Sequence, residues 1–102
     1  MKKPTIYLAG KIGNLPIDQV KANFTKATRD LESLGYSVIT PLDLPHNHDK
    51  SWPSYMIEDL QALIKCDEVA MLSNWHDSPG AKIEHAFAQG MGKQIIYLDI
   101  SR

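Results

Sequence analysis

Glu68-Val69-Ala70-Met71-Leu72, followed by Ser78-Pro79-Gly80-Ala81-Lys82-Ile83-Glu84, decides the fold. The first run is apolar without alternation, as in a strand covered on both faces. The second opens with a capping serine and a proline at the first helical position, and the helix it starts ends near Gly90. Gln94-Ile95-Ile96-Tyr97-Leu98 then reads as another strand. Strand, crossover helix, strand is the unit of a parallel sheet.

The N-terminal half carries the same alternation. Thr5-Ile6-Tyr7-Leu8-Ala9 is a short apolar run ending at Gly10, and Lys11-Ile12-Gly13-Asn14-Leu15-Pro16 supplies turn residues. Asp18 reads as the cap of a helix with the stripe Val20, Phe24, Ala27, Leu31, Leu34 and a stop at Gly35. Tyr36-Ser37-Val38-Ile39-Thr40 is a second strand closed by Pro41. Residues 41–52 form the longest irregular stretch, and a helix carrying Met56, Leu60 and Leu63 opens near Ser51-Trp52-Pro53. The order β-α-β-α-β-α-β predicts a single α/β domain over 1–102. Its expected form is a Rossmann-like (flavodoxin-like) three-layer sandwich around a parallel sheet of four to five strands. Right-handed crossovers put the loops after the strands on one edge, where such folds bind ligands.

With 102 residues, the chain has the size of one small domain. Eleven Lys+Arg against twelve Asp+Glu give a net charge of −1, which disfavours a nucleic acid polymer as partner. No apolar run approaches the ~20 residues that span a bilayer. Met1-Lys2-Lys3-Pro4 leads into a strand rather than a signal peptide, and Cys66 is the only cysteine, which points to the cytosol. So small a domain has little surface to spare, and a second copy is expected to complete any pocket.

Three groups fall where the strands end. Tyr7 with Ala9-Gly10-Lys11 offers small residues that let a ligand approach the backbone, beside a positive charge. It is no dinucleotide fingerprint, because G-x-G-x-x-G is absent. Ser78 and Gly80 stand at a helix N-terminus suited to an anion. Inside that helix Glu84 has Gly80, Ala81 and Ala88 as neighbours one turn away, so it is either solvated beside Lys82 and His85 or turned to a cavity. Asp59 borders the apolar stripe of its helix, as a satisfied structural group or as an acid/base partner of Glu84. Glu58 and Gln61 fall on the wet side. His46-Asn47-His48-Asp49 lacks further ligands at a supporting spacing and reads as a solvated loop, so no metal is predicted. Cys66 reads as a small buried hydrophobe. Trp52, Tyr55 and Trp75 are core residues or stack on a flat ring.

Together these residues resemble the nucleoside 2-deoxyribosyltransferase superfamily, along nearly the whole chain. Ile6-Tyr7-Leu8-Ala9-Gly10 is similar to its first strand and turn. Asp59-Leu60 with Cys66-Asp67 is similar to its second-helix motif, and Gly80-Ala81-Lys82-Ile83-Glu84-His85-Ala86 to its G-x-x-x-E-x-A motif. The pattern of Trp52, Tyr55-Met56, Asp59, Cys66-Asp67, Trp75 and Glu84-His85-Ala86 is most like a small phage and prophage branch of unknown function. The resemblance implies Glu84 as nucleophile on a sugar C1′. It implies Asp59 as the group that positions Glu84 or protonates the departing base, Tyr7 in the sugar pocket, and no cofactor.

Ser78 stands six residues before Glu84, where the related 2′-deoxynucleoside 5′-monophosphate N-glycosidases also carry serine. With Gly10, Lys11, Gly80 and Trp75 it is expected to bind a nucleoside or nucleotide, preferably a 5′-monophosphate, although Asp77 would repel phosphate somewhat. The resemblance also implies a homodimer or higher homo-oligomer sharing its pockets, with Asp99, Ser101 or Arg102 reaching into the neighbour. The alternative is a non-catalytic module that binds or sequesters a nucleotide.

Overall fold

The computed structural model describes residues 2–99. Four strands, β1 (Thr5–Ala9), β2 (Ser37–Ile39), β3 (Glu68–Leu72) and β4 (Gln94–Leu98), form one parallel sheet in the order β2-β1-β3-β4. Helices α1 (Ile17–Ser33), α2 (Trp52–Lys65) and α3 (Pro79–Gly90) connect them, with short 3₁₀ turns at Pro41–Asp43 and Ser73–Asp77. This is the expected three-layer α/β sandwich, with four strands.

Alternation along the central strands builds two cores. Ile6, Leu8, Ala70 and Leu72 pack with Val20, Phe24, Ala27 and Leu31 of α1 on one face. Tyr7, Ala9, Val69 and Met71 pack with Leu63 of α2 and Ala81 and Ala88 of α3 on the other. Both faces of β1 and β3 are therefore covered, which accounts for their unbroken apolar runs. At the entry to the sheet the Thr5 N–H donates to Asp67 Oδ2 at 2.9 Å, and the Asp67 N–H donates to Thr5 Oγ1 at 3.1 Å.

Four local expectations are corrected. Pro16, not Asp18, occupies the N-cap of α1; Asp18 lies in the first turn, where its charge faces the positive end of the helix dipole. Leu34 is 69% exposed, because the helix closes before it. Gly35, at φ 97°, and Tyr36 turn their N–H groups back to the Glu32 and Leu31 carbonyls. The second strand is only three residues long. The last strand is an edge, not a doubly covered strand, and leaves Tyr97 exposed. Ser51 and Ser78 do cap α2 and α3, accepting from the N–H groups of Ser54 and Ala81.

The chain leaves β1 toward β2 on one side and returns to β3 on the other. The carboxyl ends of β1 and β3 thus form the switch point where open α/β sheets hold ligands. Gly10 lies there, against Leu72. A Cβ on Gly10 would come within 2.5 Å of Leu72 Cδ1 and 2.9 Å of its Cβ and Cγ. Gly10→Ala is expected to destabilise the fold by roughly 1–3 kcal/mol, the scale of an overpacked core. A thermal melt checks this: a midpoint unchanged from the parent would show that Leu72 yields freely.

Candidate active site

A cavity of about 550 Å³ opens at the switch point, within the size range of small-molecule sites. The loop after β1 contributes Gly10, Ile12, Gly13 and Asn14; the segment after β2 contributes Pro41, Leu42 and His46. Trp52, Tyr55, Met56 and Asp59 enter from α2, and Asp77, Ser78, Pro79, Gly80, Ala81 and Glu84 from α3 and the turn before it.

Glu84 is the most deeply buried acid that lines the cavity. It is 3% exposed, and Tyr7 donates its hydroxyl to Glu84 Oε2 at 2.7 Å. Asp59, 9% exposed, approaches from α2, so that the two carboxyls are close enough to share a proton. Burial pushes both acids above the usual carboxylate range, Glu84 further through its neighbour's charge and against the bond from Tyr7. Burial and the facing carboxyls also keep the Tyr7 phenol firmly protonated. Two neighbouring acids that both hold their protons this firmly form the arrangement that separates an acid role from a base or nucleophile role.

At the start of α3, Ser78 Oγ accepts the Ala81 N–H at 3.1 Å and Pro79 has no N–H, which leaves the Gly80 N–H and the Ser78 hydroxyl hydrogen as donors toward a ligand. Tyr7, Asp59 and Glu84 are thus brought together, with Gly10, Ser78 and Gly80 on the cavity wall. Three expected residues are not part of that wall. Tyr7 is fully buried and meets the site through its bond to Glu84 rather than lining the cavity. Lys11 donates its backbone N–H to Asn74 Oδ1 at 3.1 Å, and its side chain does not line the cavity. Trp75 stacks on His85, with ring centroids 4.1 Å apart, and packs on the lower core. Ser101 and Arg102 lie outside the described residues.

The segment after β2 is the part sequence reasoning missed. Glu58 is not on a wet face: its side chain is 15% exposed and binds His46 and His48, so those histidines are not a solvated loop. The motif His-x-His ahead of a helix bearing an acid was the available signal. Cys66 is buried, as expected, and its carbonyl accepts from Lys93 Nζ at 2.6 Å.

The three helices and four-stranded parallel sheet have the fold of the nucleoside 2-deoxyribosyltransferase-like superfamily. The chain belongs to the family described as domain of unknown function DUF4406, whose model matches residues 4–97. Among solved structures it is similar to the CMP N-glycosidase BcmB of Clostridium botulinum, at 28% identity and a TM-score of 0.65, over 93% of this chain and 71% of that one. It is also similar to the 2-desoxiribosyltransferase from Leishmania mexicana, at 18% identity and a TM-score of 0.70, over 94% of this chain and 64% of that one. The second likeness is one of fold. No curated protein matches the sequence. Among the described residues, no helix is long and apolar enough to cross a membrane.

The carboxyl pair predicts a pH signature. Both acids hold protons more firmly in the folded chain than in the unfolded one, so the fold binds more protons than the unfolded chain and loses stability as pH rises from the ordinary carboxylate range through neutrality. Glu84→Gln has the shape of the protonated acid. It is expected to match the parent near about pH 4 and to exceed its stability by roughly 1–2 kcal/mol near about pH 8. Melts across that range check the sign; a variant less stable than the parent at the alkaline end contradicts it.

Proposed function

We propose that the protein is an enzyme that cleaves the bond between base and sugar in a nucleoside or deoxynucleoside 5′-monophosphate. The buried pair Glu84 and Asp59 on the cavity wall, with Tyr7 behind Glu84, carries this reading, supported by the likeness to the CMP N-glycosidase. Cleaving an N-glycosidic bond develops positive charge at C1′, and a carboxylate beside it stabilises that charge or captures the carbon. Glu84 takes this part. Its proton passes to Asp59, and Tyr7 holds the carboxylate in line. The Ser78 and Gly80 donors at the α3 N-terminus receive the 5′-phosphate, while Trp52, Tyr55 and Met56 form an apolar wall for the base. A sugar ester on Glu84 gives retention, and water or a second base then releases the sugar as hydrolysis or transfer. A second copy of the chain completes the pocket in this reading. No metal or organic cofactor takes part.

The test is a panel of ribo- and deoxyribonucleoside 5′-monophosphates with the matching nucleosides, read by chromatography for free base. Base release is expected from monophosphates in preference to nucleosides. Glu84→Ala is expected to lower release by about 1,000-fold or more, the scale of losing one member of a catalytic unit. No release from any compound, or release untouched by Glu84→Ala, overturns the reading.

A further inference from the structure

Glu58 and Asp59 are adjacent on α2 and serve different partners. Asp59 turns to Glu84, whereas Glu58 turns to the segment after β2. Glu58 Oε2 accepts the His46 backbone N–H at 2.7 Å; Oε1 meets His46 Nδ1 at 2.6 Å and His48 Nε2 at 3.2 Å. His46 sits in the left-handed backbone region at φ 56°, where few non-glycine residues go without support. Support comes from both bonds to Glu58 and from Lys50 Nζ on the His46 carbonyl. The Tyr55 ring meets the imidazole edge-on at 5.0 Å.

The protons on this cluster can be assigned. The Lys50 N–H donates to His48 Nδ1 at 3.0 Å, so His48 carries its hydrogen on Nε2 and gives it to Glu58. The ligand atoms of His46, His48 and Glu58 all lie within 4.8 Å of one another, but His48 Nε2 presents a hydrogen there, not a lone pair for a cation. For His46 the short contact to the carboxylate places a hydrogen on Nδ1. Nε2 is then the ring nitrogen that Glu58 does not engage, on a residue that lines the cavity.

A nucleophile and its acid must stand on opposite sides of the carbon under attack, and in retaining glycosidases their carboxyls are roughly 5–5.5 Å apart. Asp59 lies within hydrogen-bonding reach of Glu84, and the two enter the cavity from the neighbouring helices α2 and α3, which sets Asp59 beside the nucleophile rather than across from it. Asp59 belongs to the nucleophile's side, so the departing base needs another acid. His46 comes from a different wall of the same cavity, with a carboxylate behind its Nδ1 in the manner that orients a catalytic histidine.

We propose that His46, positioned by Glu58, is the acid that protonates the departing nucleobase. This rests on the glycosidase reading above. In this step His46 acts as the imidazolium, with a hydrogen on each ring nitrogen: the C1′–N bond breaks as the Glu84–C1′ bond forms, the bond's electron pair goes to the base, and the base takes the Nε2 proton and leaves His46 neutral. Water then attacks C1′, its proton returns to Nε2, and Glu84 departs as carboxylate. Among the described residues, the charged and titratable groups around His46 are Tyr55, Glu58 and Asp59 of α2, with His48 and Lys50 of its own segment.

Leaving-group dependence tests the assignment. The parent, His46→Gln and Glu58→Gln are compared on the best nucleotide of the panel and on a nitrophenyl 2-deoxyriboside 5′-phosphate, whose nitrophenolate departs without a proton. His46→Gln is expected to lose about 100-fold or more in kcat on the nucleotide and to stay within about 3-fold of the parent on the nitrophenyl compound. Glu58→Gln is expected to show the same split, smaller, which a purely structural role would not produce. Added imidazole is expected to restore His46→Ala on the nucleotide. Equal losses on both substrates, or full activity of His46→Gln on the nucleotide, overturn the acid while the glycosidase reading stands. A parent idle on both compounds overturns that reading and the acid with it.

Discussion

Glu84 places an acid in the interior of a very small domain, and much of the fold is arranged around making that tolerable. A buried carboxyl without partners costs several kcal/mol. Here a phenol from β1 and a second carboxyl from α2 meet it on α3, and among the described residues no buried side-chain oxygen or nitrogen lacks a partner. Tyr7 and Glu84 are 77 residues apart, so their 2.7 Å bond depends on the register between β1 and β3 and on the seat of α3 over the sheet. The small residues around Glu84 follow from the same constraint. Ala81 and Ala88 let α3 lie close to the strands, and Gly80 stands where a Cβ would reach 3.1 Å from Met56 Sδ. Bulk at any of them would lift the acid out of reach of its partners.

Much of this was legible in the residues themselves. Unbroken apolar runs at 5–9 and 68–72 could only be central strands, and Ser51 and Ser78, each followed by a nearby proline, marked two helix starts. The signals that misled were local ones without tertiary support. Asp18 is a good capping residue by type, but Pro16 already bends the chain into α1, and the acid is left in the first turn. Leu34 keeps the period of its stripe and still faces water, because Gly35 turns the backbone before the leucine can reach the sheet. Trp75 sits near the right edge, but the ring of His85 takes it up on the other side of α3.

The His46-Glu58 contact was hidden for a different reason. Periodicity assigns a helical residue to a face by its neighbours on the same helix, and by that rule Glu58 belongs outside. It is enclosed by a loop that folds back over α2, which no helical period encodes. The loop in turn has no regular hydrogen bonding to announce its course; its shape is set by Glu58 receiving one backbone N–H and two ring nitrogens. A segment that looks featureless as sequence is therefore tied down at the point where it meets the cavity. Asp59 and Glu58, indistinguishable as a pair of acids in a row, are separated in function by which wall each one faces.

The electrostatics of the cavity then bear on what can enter it. Its described walls carry Asp59, Asp77 and Glu84 but no lysine or arginine side chain. Three full negative charges would oppose an anionic ligand strongly at such short range in a partly dry site. Burial lessens that sum, because it favours the neutral form of both Glu84 and Asp59. The donors at the α3 N-terminus and the ring of His46 can then face an anion without an opposing pair of carboxylates behind it. In the proposed reaction Glu84 needs its charge only when C1′ becomes positive, and Asp59 is the neighbour to take the proton at that moment. The desolvation that makes the acid expensive to bury would then also ease the entry of a phosphate into a carboxylate-lined cavity, and delay the nucleophile's charge until that reaction calls for it.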